Sequence, residues 1–188
     1  MRWIVACAAI GLAVASILII NSLLLKSMPS KEKINLMTSD GQKIAANFYP
    51  VRDAKGWLLL THMMPATKES WDSFAQEMQK EGYGSIAIDL RGHGESQGGP
   101  DGYQKFTDAE HQVSIRDLEA AWEFLKSRGA IPDKTAVIGA SVGANLSLQF
   151  LTSHPDIAKG VLLSAGLDYR GITTESFAKK LFANQSIV

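Results

Sequence analysis

Cysteine is almost missing from this 188-residue chain: Cys7 stands alone. A single thiol excludes an intrachain disulfide and a cysteine-based zinc site. An excess of charge is missing too, because 19 Lys and Arg balance 19 Asp and Glu, and no long basic run occurs. Displacing counterions from a phosphate backbone takes clustered Lys and Arg, so no nucleic-acid partner is expected. There is no internal repeat and no low-complexity tract. What is present is core-building material: 46% of the residues are hydrophobic, with no signature of disorder, in a length that suits about one domain.

Charge is also absent locally. From Trp3 to Leu25 no ionisable side chain occurs except that of Cys7, and the polar residues are Ser16, Asn21 and Ser22. As a helix this run would span roughly 34 Å, against about 30 Å of bilayer hydrocarbon. Residues 1–25 are therefore expected to be a membrane anchor or signal sequence, with a single pass and the remaining domain outside the cytoplasm. Arg2 argues for an inside amino terminus, while Lys26, Lys31 and Lys33 pull the other way. Ala13-Val14-Ala15 offers a cleavage site, but cutting there would leave a greasy new terminus. A lipidated Cys7 and a buried core helix are the other readings. Residues 26–33, "KSMPSKEK", read as a linker, and 34–188 as the folded domain.

The rest alternates. "KINLMT" (33–38) and "QKIAANFYP" (42–50) flank Asp40-Gly41, a hairpin signal. "GWLLLTH" (56–62) and "SIAIDL" (85–90) are continuous apolar runs, as in strands buried on both faces. Trp71, Phe74, Ala75 and Met78 have helical spacing within 69–81. A glycine-rich loop runs from Arg91 to about Phe106. Thr107 and Glu110 form a capping box, behind which Ile115, Leu118, Trp122 and Leu125 make one stripe ended by Gly129 and Pro132. "TAVIG" (135–139) and "GVLLSAG" (160–166) are strands, with apolar helix 142–153 between them. Residues 174–183 read as a helix. A hairpin followed by β-α-β-α-β-α-β predicts an α/β fold: a mostly parallel sheet with helices on both faces and the site at the strands' carboxyl ends.

Ser141 lies at one of those ends, in "VIGASVGANL" (137–146). A tight turn from strand to helix strains the backbone and pushes the serine side chain out of the sheet edge. Residues two before and two after crowd the turn, so Gly139 and Gly143 are small. The following helix aims its free N–H groups and positive dipole end at whatever forms beside Ser141. A second donor would come from Met63 or Met64 at the end of the neighbouring strand. A dinucleotide-binding glycine loop is the rival use of this shape. Ser141 holds its middle glycine's place, and Val161 stands where a ribose-binding acid would.

From about Ile34 to Leu167 the chain resembles the α/β-hydrolase superfamily, on "HMMP" (62–65), "DLRGHGES" (89–96) and "GASVG" (139–143), in that order. The pattern is similar to serine aminopeptidase-like and dienelactone hydrolase-like members. The resemblance implies a serine nucleophile, a histidine base, an acidic partner, no metal and no cofactor. Ser141 matches the nucleophile, and Val142 and Met64 match the oxyanion-hole positions. Met63 stands where such chains commonly have glycine. His62 reads as loop support rather than base. Asp89, Arg91 and His93 read as braces of their loop, and His111 as lying on the solvated side of its helix. Met63 and Met64 line an acyl pocket or simply pack.

The resemblance also implies the chain order serine, acid, histidine. Beyond Ser141 the only histidine is His154, about 20 Å away at helical rise, so it is expected to meet its own helix's C-terminal carbonyls instead. Asp168 is the candidate acid, or else a loop or capping residue. The sequence stops at "FANQSIV", before the two further strands that the resemblance leads one to expect. The chain reads as a fragment, inactive or nearly so by itself, of a membrane-anchored serine hydrolase acting on a small-molecule ester, thioester or amide. The alternative is a non-catalytic binding or scaffold protein of the same fold.

Overall fold

The computed structural model describes residues 31–188. The apolar run 3–25 and most of the linker lie outside the described residues; among those described, no helix is long and apolar enough to cross a membrane.

Strands β1 (Glu32–Met37) and β2 (Lys43–Tyr49) form the antiparallel hairpin, with Gly41 at φ 79° in its turn. β1 starts at Glu32, inside the expected linker, because Glu32↔Phe48 and Lys33↔Asn47 extend the ladder. Next come β3 (Gly56–Thr61), a 3-10 turn (Lys68–Trp71), α1 (Asp72–Lys80) and β4 (Tyr83–Ile88). The helix expected over 69–81 is thus split: Trp71 belongs to the turn, and Phe74 is exposed.

The capping box is present, but it opens a separate short helix, α2 (Asp108–Gln112). The expected stripe lies on α3 (Ile115–Ser127), after a break at Val113 and Ser114. β5 (Thr135–Ala140), α4 (Val142–Ser153) and β6 (Lys159–Leu163) follow. The last part differs from expectation. A two-residue hairpin, β7 (Asp168–Tyr169) and β8 (Ile172–Thr173), precedes α5 (Thr174–Ala178), which is shorter than the helix expected over 174–183. β9 (Ser186–Ile187) then pairs parallel with β6, so the main sheet holds one strand more than the periodicity predicts, and the β7–β8 hairpin adds two outside it.

The sheet order is β1-β2-β4-β3-β5-β6-β9, and β3, β4, β5, β6 and β9 run parallel. Successive β3 residues feed opposite cores, as the strand period requires. Trp57 and Leu59 join Leu118, Trp122, Leu146 and Phe150 of α3 and α4, while Leu58 and Leu60 join Trp71 and Ala75 beside α1. Helices therefore cover both faces, and β3 and β5, buried at the centre, end side by side at Thr61 and Gly139.

Candidate active site

Between β5 and α4 the chain turns on Ser141 alone. Its backbone sits at φ 51°, ψ −117°, a conformation that costs an L-residue about 1–3 kcal/mol. Three hydrogen bonds hold it there. Ser141 N–H donates to Leu163 O at 2.8 Å, and Ser141 O accepts from Ala144 N at 2.9 Å and Asn145 N at 3.2 Å. A Cβ on Gly139 would lie 2.1 Å from Gly143 O, and one on Gly143 would lie 2.6 Å from Thr61 O and 2.7 Å from His62 O. The glycines thus do two jobs: Gly139 lets the corner close, and Gly143 lets α4 touch the end of β3. Thr61 seals that contact, with Oγ1 donating to Gly143 O at 3.1 Å and lying 3.0 Å from Ser147 Oγ.

This brings the 62–64 loop against the first turn of α4. The N–H groups of Val142, Met63 and Met64 have no acceptor among the described residues. Met63 is exposed, and Met64 is partly buried with its Sδ accepting from Tyr169 O–H at 3.3 Å. Main-chain donors without an acceptor are the kind of group that can hold negative charge on an oxygen.

The described histidines do not reach Ser141. His62 is fully buried; its Nε2 accepts from Leu90 N–H at 3.0 Å, so Nδ1 carries the proton and donates to Met63 O at 2.9 Å. Burial pushes this ring down from 6.5 to about 4. The sign follows from the lowered value: the unfolded chain takes up a proton that the folded one refuses. His62 therefore contributes stability above pH 6.5, about 3 kcal/mol at full extent, and that contribution is withdrawn as pH falls towards 4. In an NMR titration the His62 ring should remain neutral at pH 5.5; a midpoint near 6.5 would overturn this placement.

His93 is buried, stacked on Tyr103 at 4.0 Å, with Nδ1 3.1 Å from Arg91 O. His111 is buried between Phe106 and Tyr169 rather than solvated, because the β7–β8 hairpin folds over its helix. His154 is a further correction: its Nε2 meets the Glu119 carboxylate of α3 at 2.9 Å, not its own helix's carbonyls. Asp168 is exposed, and its Oδ1 accepts from Gly171 N–H at 2.7 Å, closing the β7–β8 turn. Asp89 accepts from Lys68 and Glu95, and Arg91 pairs with Asp117.

Sequence reasoning missed two residues that shape the site. Asn145 clips the loop after β6 to α4 by donating to Gly166 O at 3.0 Å and Ile172 O at 2.8 Å, and by accepting from Gly166 N–H at 3.0 Å. Its signal was an amide in a mostly apolar helix, one turn beyond Ser141. Lys68 is buried at 1% exposure, and nothing in the local pattern marks it. Among the described residues no cluster could hold a metal ion.

A sheet of this order with a strained serine corner at the end of β5 defines a class, and the chain belongs to the α/β-hydrolase superfamily. Within it, residues 52–184 match the family described as serine aminopeptidase, S33. The bifunctional esterase/perhydrolase of Acinetobacter calcoaceticus is 32% identical over 130 residues, which is 68% of this chain and 43% of that protein. The Pyrococcus furiosus esterase Pf2001 is 25% identical with a TM-score of 0.59, over 72% of this chain and 52% of that one. The α/β hydrolase GrgF from a Penicillium species shares the fold at 19% identity and a TM-score of 0.63, over 73% of this chain and 46% of that one. The chain thus spans about half the length of these relatives.

Proposed function

We propose that this chain is the nucleophile-bearing part of a serine hydrolase that cleaves a carboxylic ester, thioester or amide by acyl transfer. The backbone of Ser141 carries the reading. A non-glycine residue is held in a costly conformation by close-packed glycines, and such strain gathers at working sites.

Ser141 Oγ attacks the substrate carbonyl carbon, and the C=O π electrons move onto oxygen. Val142 N–H and Met64 N–H donate to that oxyanion, a single such donor being worth about 2.7–4 kcal/mol. The hydroxyl proton passes to a general base, a role given to none of His62, His93, His111 and His154. The tetrahedral intermediate expels the alcohol, thiol or amine, which takes that proton, and water then releases the acid by the same steps. Asp168 is given no part, because its carboxylate is exposed and engaged by its turn. The names of the esterase relatives favour an ester as the substrate. The apolar run 3–25 would anchor the enzyme to a membrane, with the site outside the cytoplasm.

The full-length gene product should react with a fluorophosphonate probe, and Ser141→Ala should abolish labelling. Labelling that survives Ser141→Ala would refute the nucleophile. A wild-type protein that takes no label would favour the non-catalytic binding reading.

A further inference from the structure

Lys68 has three carboxylates on one buried ammonium. Its Nζ lies 2.7 Å from Asp89 Oδ2, 2.8 Å from Glu95 Oε2 and 3.0 Å from Glu69 Oε1. Its backbone N–H donates to Asp89 Oδ1 at 2.7 Å, so one lysine grips both oxygens of a carboxylate that is itself fully buried. Asp89 Oδ2 also accepts from Glu95 N–H at 2.9 Å. The segment after β4 presses so closely on this group that a Cβ on Gly94 would lie 2.2 Å from Asp89 Oδ2.

The other end of the same loop is fastened to the same segment. His62 Nε2 accepts from Leu90 N–H, and His62 Nδ1 turns back to Met63 O. Residues 62–68 are thus tied at both ends to residues 89–95. Between the ties Met63 and Pro65 are exposed, while Met64 is partly buried against the core and accepts from Tyr169 O–H. The main-chain donors proposed for the oxyanion thus stand on a loop that polar anchors pin at both ends, with Met64 packed between them.

We infer that Lys68 is a positioning residue: with Asp89 it sets where the Met63–Met64 main chain stands relative to Ser141. A buried ion pair adds little stability over apolar groups of similar volume, and its best-attested use is to select one geometry. A misplacement of about 1 Å at a reacting centre costs on the order of 10²-fold in rate. The inference rests on the acyl-transfer reading and deepens it.

The test uses the full-length protein, with p-nitrophenyl acetate as ester and rates expressed per site titrated with fluorophosphonate. Lys68→Met should lower kcat at least about ten-fold with KM little changed. It should also weaken the preference for the ester over its thionoester, whose developing sulfur anion suits the donors poorly. Because Lys68→Met leaves Asp89 unpaired, the neutral pair Lys68→Met/Asp89→Asn serves as the second variant, with the same loss expected. Unchanged kcat per titrated site in either folded variant would overturn the inference while leaving Ser141 as nucleophile. Labelling that persists in Ser141→Ala would instead remove the reading beneath it.

Discussion

Gly139→Ala is expected to lower the thermal midpoint by roughly 6–12 °C. The added Cβ would stand 2.1 Å from Gly143 O, 2.3 Å from Gly143 C and 2.5 Å from Ser147 Oγ. The serine hydroxyl could rotate away, but the other two atoms are backbone in the first turn of α4 and cannot. Relief requires the whole turn to move, and that turn is fixed by Thr61 on one side and by Ser141 N–H to Leu163 O on the other. Overpacking of this kind costs about 3 kcal/mol, the upper part of its usual range. In a domain of this size each kcal/mol is about 2–4 °C. Gly129 is the control: at φ 93° with nothing near its missing Cβ, Gly129→Ala should cost only about 1 kcal/mol. A melting curve for Gly139→Ala within a degree or two of wild type would show that the corner is slack.

Asp117→Ala should be of similar size for a different reason. Asp117 is fully buried and accepts from Arg91 three times: backbone N–H at 2.8 Å, Nε at 2.9 Å and NH2 at 2.7 Å. Removing the carboxylate leaves a buried guanidinium and a buried amide without their acceptor. Breaking a buried pair by taking one partner costs about 3–5 kcal/mol. Arg91 retains Asp40 at 2.7 Å, in the β1–β2 turn, which keeps the loss near about 3 kcal/mol. The double variant Arg91→Met/Asp117→Leu should recover most of it, because the lone buried charge is then gone. Denaturant titration of the two variants decides the matter. A double variant no more stable than Asp117→Ala would mean that the pair matters for its packing, not its charge.

Much of the frame was legible because strands buried on both faces are written as unbroken apolar runs. "GWLLLTH" holds β3, which stops one residue sooner at Thr61, and "SIAIDL" overlaps β4, which starts two residues earlier at Tyr83 and ends at Ile88. The corner at Ser141 was legible because Gly139 is crowded by Gly143 within the same five residues, although Gly143 itself is small to let β3 approach. What escaped was pairing between distant elements. His154 finds Glu119 only because α3 packs on α4. His111 is buried only because β7 and β8 fold over it. Lys68 and Asp117 carry no local mark, because their partners Asp89 and Arg91 come from other elements. The short helix α2 escaped for a subtler reason: a capping box says where a helix starts, not how far it runs.

The strain at residue 141 has a consequence for descent. Glycine tolerates that conformation freely, so Ser141→Gly would relieve the strain and remove the hydroxyl. Mutation unopposed by selection should drift towards that exchange. On the acyl-transfer reading, a lineage keeps serine there for its hydroxyl, and one with glycine there has given that chemistry up.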